Sequence, residues 1–194
     1  MQARTTGAPG PLLDLICHPA GSAGPVARLT VSAFRPEPSV LALDYVVSGD
    51  MARVLLPRWT ARSRADDLWR HTCFEAFIRS DTGPGYHEIN LSPSGQWAVY
   101  GFDAYRQGQV PSAGVESEAL VRAFDETHVA VSAVLWLERL NGLDPAAPWS
   151  IGLSAVIEAI DGTIAYWALA HPSGTPDFHH PDSFTLTLPP PEPA

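Results

Sequence analysis

The sequence predicts an all-β domain, an antiparallel sandwich of two packed sheets, and three observations carry that prediction. Its apolar side chains fall in short runs rich in Val, Ile, Leu, Phe, Tyr and Trp, strand-length rather than helix-length. Turn signals such as SGD, DTGPG, SPSG, NGLDP and HPSG separate the runs. Helical spacing is confined to residues 112–123, with a single turn near 138–143 as an alternative. Many short strands must close on themselves to hide their edges, and hairpins with alternating faces favour a sandwich over a barrel.

Taken in order, the first strand is expected at 11–17, after a Gly- and Pro-rich start, followed by the β-branched runs 26–34 and 39–48 and by 51–57. Strands at 71–79, 86–92 and 96–104 follow, each ending in a Gly, Pro or Ser turn or an Asp-containing one. The second half contributes 118–124 and 128–137, joined by a hairpin at Asp125-Glu126, then 149–158 and 162–170. Ala159-Ile160-Asp161-Gly162 between the last two is a hairpin signal, because Asp-Gly accepts the positive φ of a primed turn. A final strand is expected at 183–188.

One domain accounts for the chain of 194 residues: a frayed N-terminus over 1–10, a core domain over 11–188 and a Pro-rich tail over 189–194. The net charge of −9, with twelve scattered Arg and no Lys, argues against nucleic acid, which is held by a basic stripe. No run of apolar residues reaches the length of a membrane span, so no membrane partner is expected. Cys17 and Cys73 form no CxxC pair and no signal h-region precedes them, so free thiols in a reducing cytoplasm are the expectation.

Residues 66–106 hold the densest mixture of aromatic and polar side chains. In a strand, residues i and i+2 share a face, so Cys73, Glu75 and Phe77 point one way and the wholly apolar set Phe74, Ala76 and Ile78 the other. Tyr86, Glu88 and Asn90 likewise oppose His87, Ile89 and Leu91. Two such strands side by side present Glu75, Glu88 and Asn90 together. Beside an aromatic ring, that patch suits a small polar ligand with many hydroxyls; the same alternation also describes a solvated sheet face.

The segments LWRHTCFEAFI, YHEINLSPSG, WAVYGFDAYR and YWALAHPSGTPDFHHPDSFTLTL resemble the DOMON-like domains related to family 9 carbohydrate-binding modules, over residues 66–188. The likeness is to an uncharacterised bacterial subgroup with W-x-x-x-CFE-x-F, E-x-N-x-SPSG and PDFH motifs. The resemblance implies a β-sandwich with immunoglobulin-like or jelly-roll-like packing, and a saccharide clamped between two rings without catalysis. It places Trp69 and Phe178 as the rings and Glu75 and Asn90 as ligand-binding groups, with Glu88 in the same pocket. Arg70, Trp97, Arg106, His171 and His179 are additional candidates. Two departures stand out: Glu88 occupies the place of an Arg in those relatives, and Phe178 that of a Trp. A more acidic pocket of this kind would suit an amino sugar or a cation.

Rival readings use the same residues. His171, Asp177, His179 and His180 include metal-ligand types, but adjacent histidines on a strand face opposite ways, so no transition metal is expected; Ca²⁺ held by loop oxygens is the alternative. Some DOMON domains hold a b-type haem, yet Met51 has no His at an obvious partner position and is expected to pack in the core. Glu75 and Glu88 could serve as a glycosidase pair, which requires a separation of roughly 5–9 Å. No nucleophile elbow, phosphate loop or HExxH motif accompanies them. An interaction domain, whose aromatic surface meets a protein, is the third class.

Overall fold

A computed structural model describes residues 10–80, 83–112 and 116–192. Its strands are β1 (Leu12–Cys17), β2 (Val26–Glu37), β3 (Val40–Gly49), β4 (Ser63–Arg64), β5 (Cys73–Ser80), β6 (Tyr86–Leu91) and β7 (Gln96–Phe102). They continue with β8 (Val110–Pro111), β9 (Glu116–Phe124), β10 (His128–Trp136), β11 (Trp149–Glu158), β12 (Ile164–Ala168) and β13 (Leu186–Leu188). The all-β class expected from the runs and turns is the class observed.

The strands order as β4-β7-β6-β5-β11-β12-β1-β2-β3-β10-β9, with β8 beside β7 and β13 beside β11. The strands form one continuous sheet that curls back on itself, so that its two halves face each other across a common core. β1 makes the join: Leu12 to Leu15 pair with β2, while Ile16 and Cys17 pair with β12. The sheet is mixed, since β4 runs parallel to β7.

Between the two halves lies one apolar core, in which Leu29, Val31, Leu43 and Tyr45 meet Phe74, Ile78, Ile89 and Leu153. The Tyr45 and Phe74 rings lie 5.0 Å apart, and the buried Tyr45 hydroxyl donates to the Glu75 carbonyl at 2.7 Å. A tyrosine rather than a phenylalanine is therefore useful here, because its polar tip finds a partner across the core. Arg35 closes one end: its guanidinium stacks 3.5 Å over Trp149 and donates to the carbonyls of Ala147, Leu188, Pro38 and Pro145.

Both expected hairpins form. Gly162 takes φ +83 in the β11–β12 turn, and Asp125 Oδ1 accepts from the amides of Thr127 and His128 between β9 and β10. Segment 51–57 departs from expectation: Met51–Arg53 is a 3-10 turn and Val54 makes only an isolated bridge to Ala159. This stretch crosses between the halves, with Leu55 N bonded to Glu158 O, and Pro57 has no N–H with which to extend a ladder. Where helical spacing was read, residues 116–124 are strand β9, and residues 113–115 lie outside the described residues. Residues 138–143 form turns.

The short β4 and β8 were not anticipated, being two residues each, and the last strand shrinks to 186–188 behind a 3-10 turn at Pro181–Ser183. Residues 1–9 and 193–194, which fall in the expected frayed ends, lie outside the described residues. Met51 is buried in the core cluster. Cys17 and Cys73 are both free, and burial pushes the Cys73 thiol well up. Among the described residues no helix is long and apolar enough to cross a membrane.

Candidate functional site

The outer face of one half-sheet carries the site. Pairing sets Glu75 opposite Asn90 on β6 and Ser154 on β11, and Phe77 opposite Glu88, which is itself opposite Tyr100 on β7. Cross-strand partners share a face, so this register turns a period-two pattern into a continuous polar strip. Phe74, Ala76 and Ile78 point into the core as expected, and Ile89 and Leu91 join them.

Three connections complete the walls. The 3-10 turn Leu68–Arg70 before β5 presents Trp69, 45% exposed. The loop after β7 supplies Arg106, and the segment after β12 folds across the face with Phe178 and His179. Among the described residues only Asp67 and Arg106 are non-glycines with positive φ, at 59° and 53°. One immediately precedes the turn carrying Trp69 and the other lines the site, the kind of placement in which local strain is held by its surroundings.

The result is a half-open cavity of about 410 Å³. That lies within the roughly 300–1,000 Å³ of small-molecule pockets. Trp69, Glu75, Glu88, Arg106, Phe178 and His179 all line it. The structure thus brings together six of the residues singled out from the sequence.

The remaining ones sit elsewhere. Asn90 lies fully buried beneath the floor, donating to Glu88 Oε1 at 2.7 Å and accepting from the Cys73 thiol. Trp97 pairs with Leu91 and packs against the core, so strand parity turns it to the opposite side of the sheet. Arg70 pairs with Asp67 at 3.1 Å on the surface, and His171 sits behind Phe178 with its Nε2 on the Ile16 carbonyl. His180 turns towards Tyr105 and Asp182, away from His179. Among the described residues no three His, Cys, Asp or Glu side chains converge in a way that could hold a metal ion.

Residues not singled out also line the cavity: Phe77, Phe102, Gln109, Val156, Tyr166 and Pro176. Phe77 was legible from its parity with Glu75. Tyr166 and Val156 were not, because nothing in sequence says that β11 lies beside β5. Their pairing is non-local, and a strand's neighbours are not encoded in its own alternation.

Electrostatics at the floor are unusual. Glu75 is 3% exposed, and neither its Oε1 nor the Oγ of Ser154 beside it has a hydrogen-bond partner. Burial, with the charge of Glu88 added, pushes Glu75 well above the usual carboxylate range. Burial also raises Glu88, against the opposing pull of its bond from Asn90 and the positive charge of Arg106. The two carboxyls therefore titrate as a pair, both held above the usual carboxylate range.

Arg106 offsets part of the charge of this floor, acting on Glu88. Arg106 is paired with Asp177 at 2.8 Å, and Asp177 also accepts from Tyr105 at 2.5 Å. His179 lies against Tyr86, its Nδ1 2.8 Å from the hydroxyl, which itself accepts from the Arg106 amide. Its Nε2 stands 3.8 Å from Glu88 Oε2. Burial first and Arg106 second push this imidazole down to about 4, so it is uncharged at neutral pH.

No protein-family model and no curated protein matches the sequence. Solved structures that share the fold include the following two. A candidate carbohydrate-binding protein from Bacteroides uniformis superposes with a TM-score of 0.65 at 14% identity, covering 92% of this chain and 85% of that one. A family 9 carbohydrate-binding module from Caldicellulosiruptor kristjanssonii, solved with cellotriose, gives 0.54 at 10% identity, covering 93% and 82%. At such identities the likeness is one of fold, and the chain spans most of both neighbours.

Proposed function

We propose that this protein is a non-catalytic saccharide-binding module of the DOMON-like, family 9-related kind, holding one sugar unit between Trp69 and Phe178 above Glu75 and Glu88. The observation that carries the proposal is the pairing of aromatic walls with a buried floor on which Glu75 Oε1 lacks a partner. Buried polar atoms of native proteins are almost always paired, so an unpartnered carboxyl oxygen on a residue that lines a cavity supports a ligand there. Sugar hydroxyls donate and accept at once, and the apolar face of a pyranose covers a ring. The fold supports the same reading, since it is shared with a module solved with cellotriose.

The test is a thermal-shift and calorimetric panel of mono- and disaccharides on the intact chain. A ligand specific for the native state raises the melting temperature, and Trp69→Ala is expected to weaken that ligand. Melting unmoved by every saccharide overturns the proposal.

One observation favours a second reading. Glu75 and Glu88 both line the cavity from adjacent strands and burial raises both, the setting in which one carboxyl can act as acid beside an ionised partner, as in a glycosidase pair. An enzyme of that kind hydrolyses an aryl glycoside and loses turnover in Glu75→Gln. A protein that binds sugar without such turnover is the module proposed.

A further inference from the structure

The geometry points to an amino sugar, protonated at its amine, as the ligand of this cavity. This rests on the saccharide reading above and specifies its chemical class.

The floor holds two buried carboxyls on adjacent strands; the charge of Arg106, itself bonded to Asp177, acts on Glu88, while among the described residues no cation bonds to Glu75. Arg106 donates to Asp177, and His179 is neutral and faces Tyr86 through Nδ1. Glu88 has one oxygen bonded to Asn90 and the other 3.8 Å from His179 Nε2, beyond hydrogen-bond length. Glu75 stands between two neutral groups, Ser154 and Asn90, with its Oε1 unpartnered. A neutral hydroxyl can supply a hydrogen bond to that oxygen but does not offset the repulsion that keeps the two buried carboxyls from ionising together. An ammonium group supplies donors and charge together, which pairs the orphaned oxygen and lets both carboxyls ionise. Trp69 and Phe178 remain free to cover the ring faces.

The experiment compares glucose and galactose with their 2-amino and 2-acetamido analogues, and glucose with 6-amino-6-deoxyglucose, by calorimetry at neutral pH. At least one amino sugar is expected to bind tenfold or more tightly than its neutral parent, and acetylation of a preferred 2-amine to remove the gain. Glu75→Gln is expected to bring the amino-to-neutral ratio towards one while the variant melts at or above the parent temperature. Glu88→Gln gives the same readout should Glu75→Gln fail to fold. Neutral sugars binding as well as every amino analogue would overturn this inference and leave the saccharide reading standing. No binding by any sugar overturns both. A melting point raised by Ca²⁺ and by no amino sugar would assign the acidic floor to a cation and also overturn the inference.

Discussion

The two faces of strands β5 and β6 make an instructive comparison, because both are buried and yet they do different work. On one face Phe74, Ala76, Ile78, Ile89 and Leu91 meet the other half of the curled sheet in a dry apolar core. On the other, Glu75, Phe77 and Glu88 are covered by the turn carrying Trp69 and by the segment carrying Phe178 and His179. Core burial removes apolar surface from water and stabilises the fold. Burial of the carboxyl face opposes ionisation and costs stability, an arrangement that makes sense where a ligand supplies the missing partners.

Truncation on the core face should give the largest effect. Phe74→Ala is expected to cost about 3–5 kcal/mol of folding free energy, measured by denaturant titration. A cost near zero would mean that the two faces are not energetically distinct.

The Phe178 ring tests the boundary between them. It is 9% exposed and packs near Phe77, Tyr166 and His171, so it is at once wall and packing residue. Phe178→Ala should lose about 3 kcal/mol of stability, at the lower end for a buried Phe, and saccharide affinity as well. Trp69, being half exposed, should separate these properties. Trp69→Ala should lower affinity about ten- to a hundred-fold, for roughly 1–3 kcal/mol of buried ring contact, with a melting point close to that of the parent. If the tryptophan variant instead melts far below the parent and binds normally, its ring belongs to the fold rather than the site.

Proton linkage sharpens the comparison further. Glu75 is raised in the folded state, so between 4.5 and its folded value the native protein holds more protons than the unfolded chain. Its contribution to stability is present at low pH and lost as pH rises through that window. The melting advantage of Glu75→Gln over the parent should therefore grow with pH above 4.5. His179 acts with the opposite sign: pushed down from 6.5 to about 4, it loses stability as pH falls between those values. His179→Gln should flatten that acid limb in melting profiles. As a control outside both faces, Asp14→Asn removes only an exposed pair with Arg28 and should leave the melting point unchanged at moderate salt.

Much of this was legible in sequence because alternation is local. The parity of Cys73, Glu75 and Phe77 against Phe74, Ala76 and Ile78 needs no knowledge of neighbours, and the structure reproduces it residue for residue. Trp97 shows the limit. It lies in an aromatic-rich segment beside the site, yet parity one strand further on turns it to the core, and that parity depends on which residue pairs with Leu91. The 51–57 run failed as a strand for a related reason: its apolar residues serve a crossing between halves, a role that composition does not distinguish from a ladder.

By itself the sequence determined the secondary-structure class, the two hairpins and which side of each strand is apolar, since these follow from side-chain period and from turn residues acting over a few positions. Only the tertiary structure decided that β11 lies against β5, that β1 joins both halves into one curled sheet, and that residues 169–184 return over Glu75. Those outcomes depend on pairings between segments far apart in the chain, whose stability comes from burial shared by both partners. Glu75 was visible as a polar residue on a strand; its enclosure, its unpartnered oxygen and its coupling to Glu88 exist only once those distant segments meet.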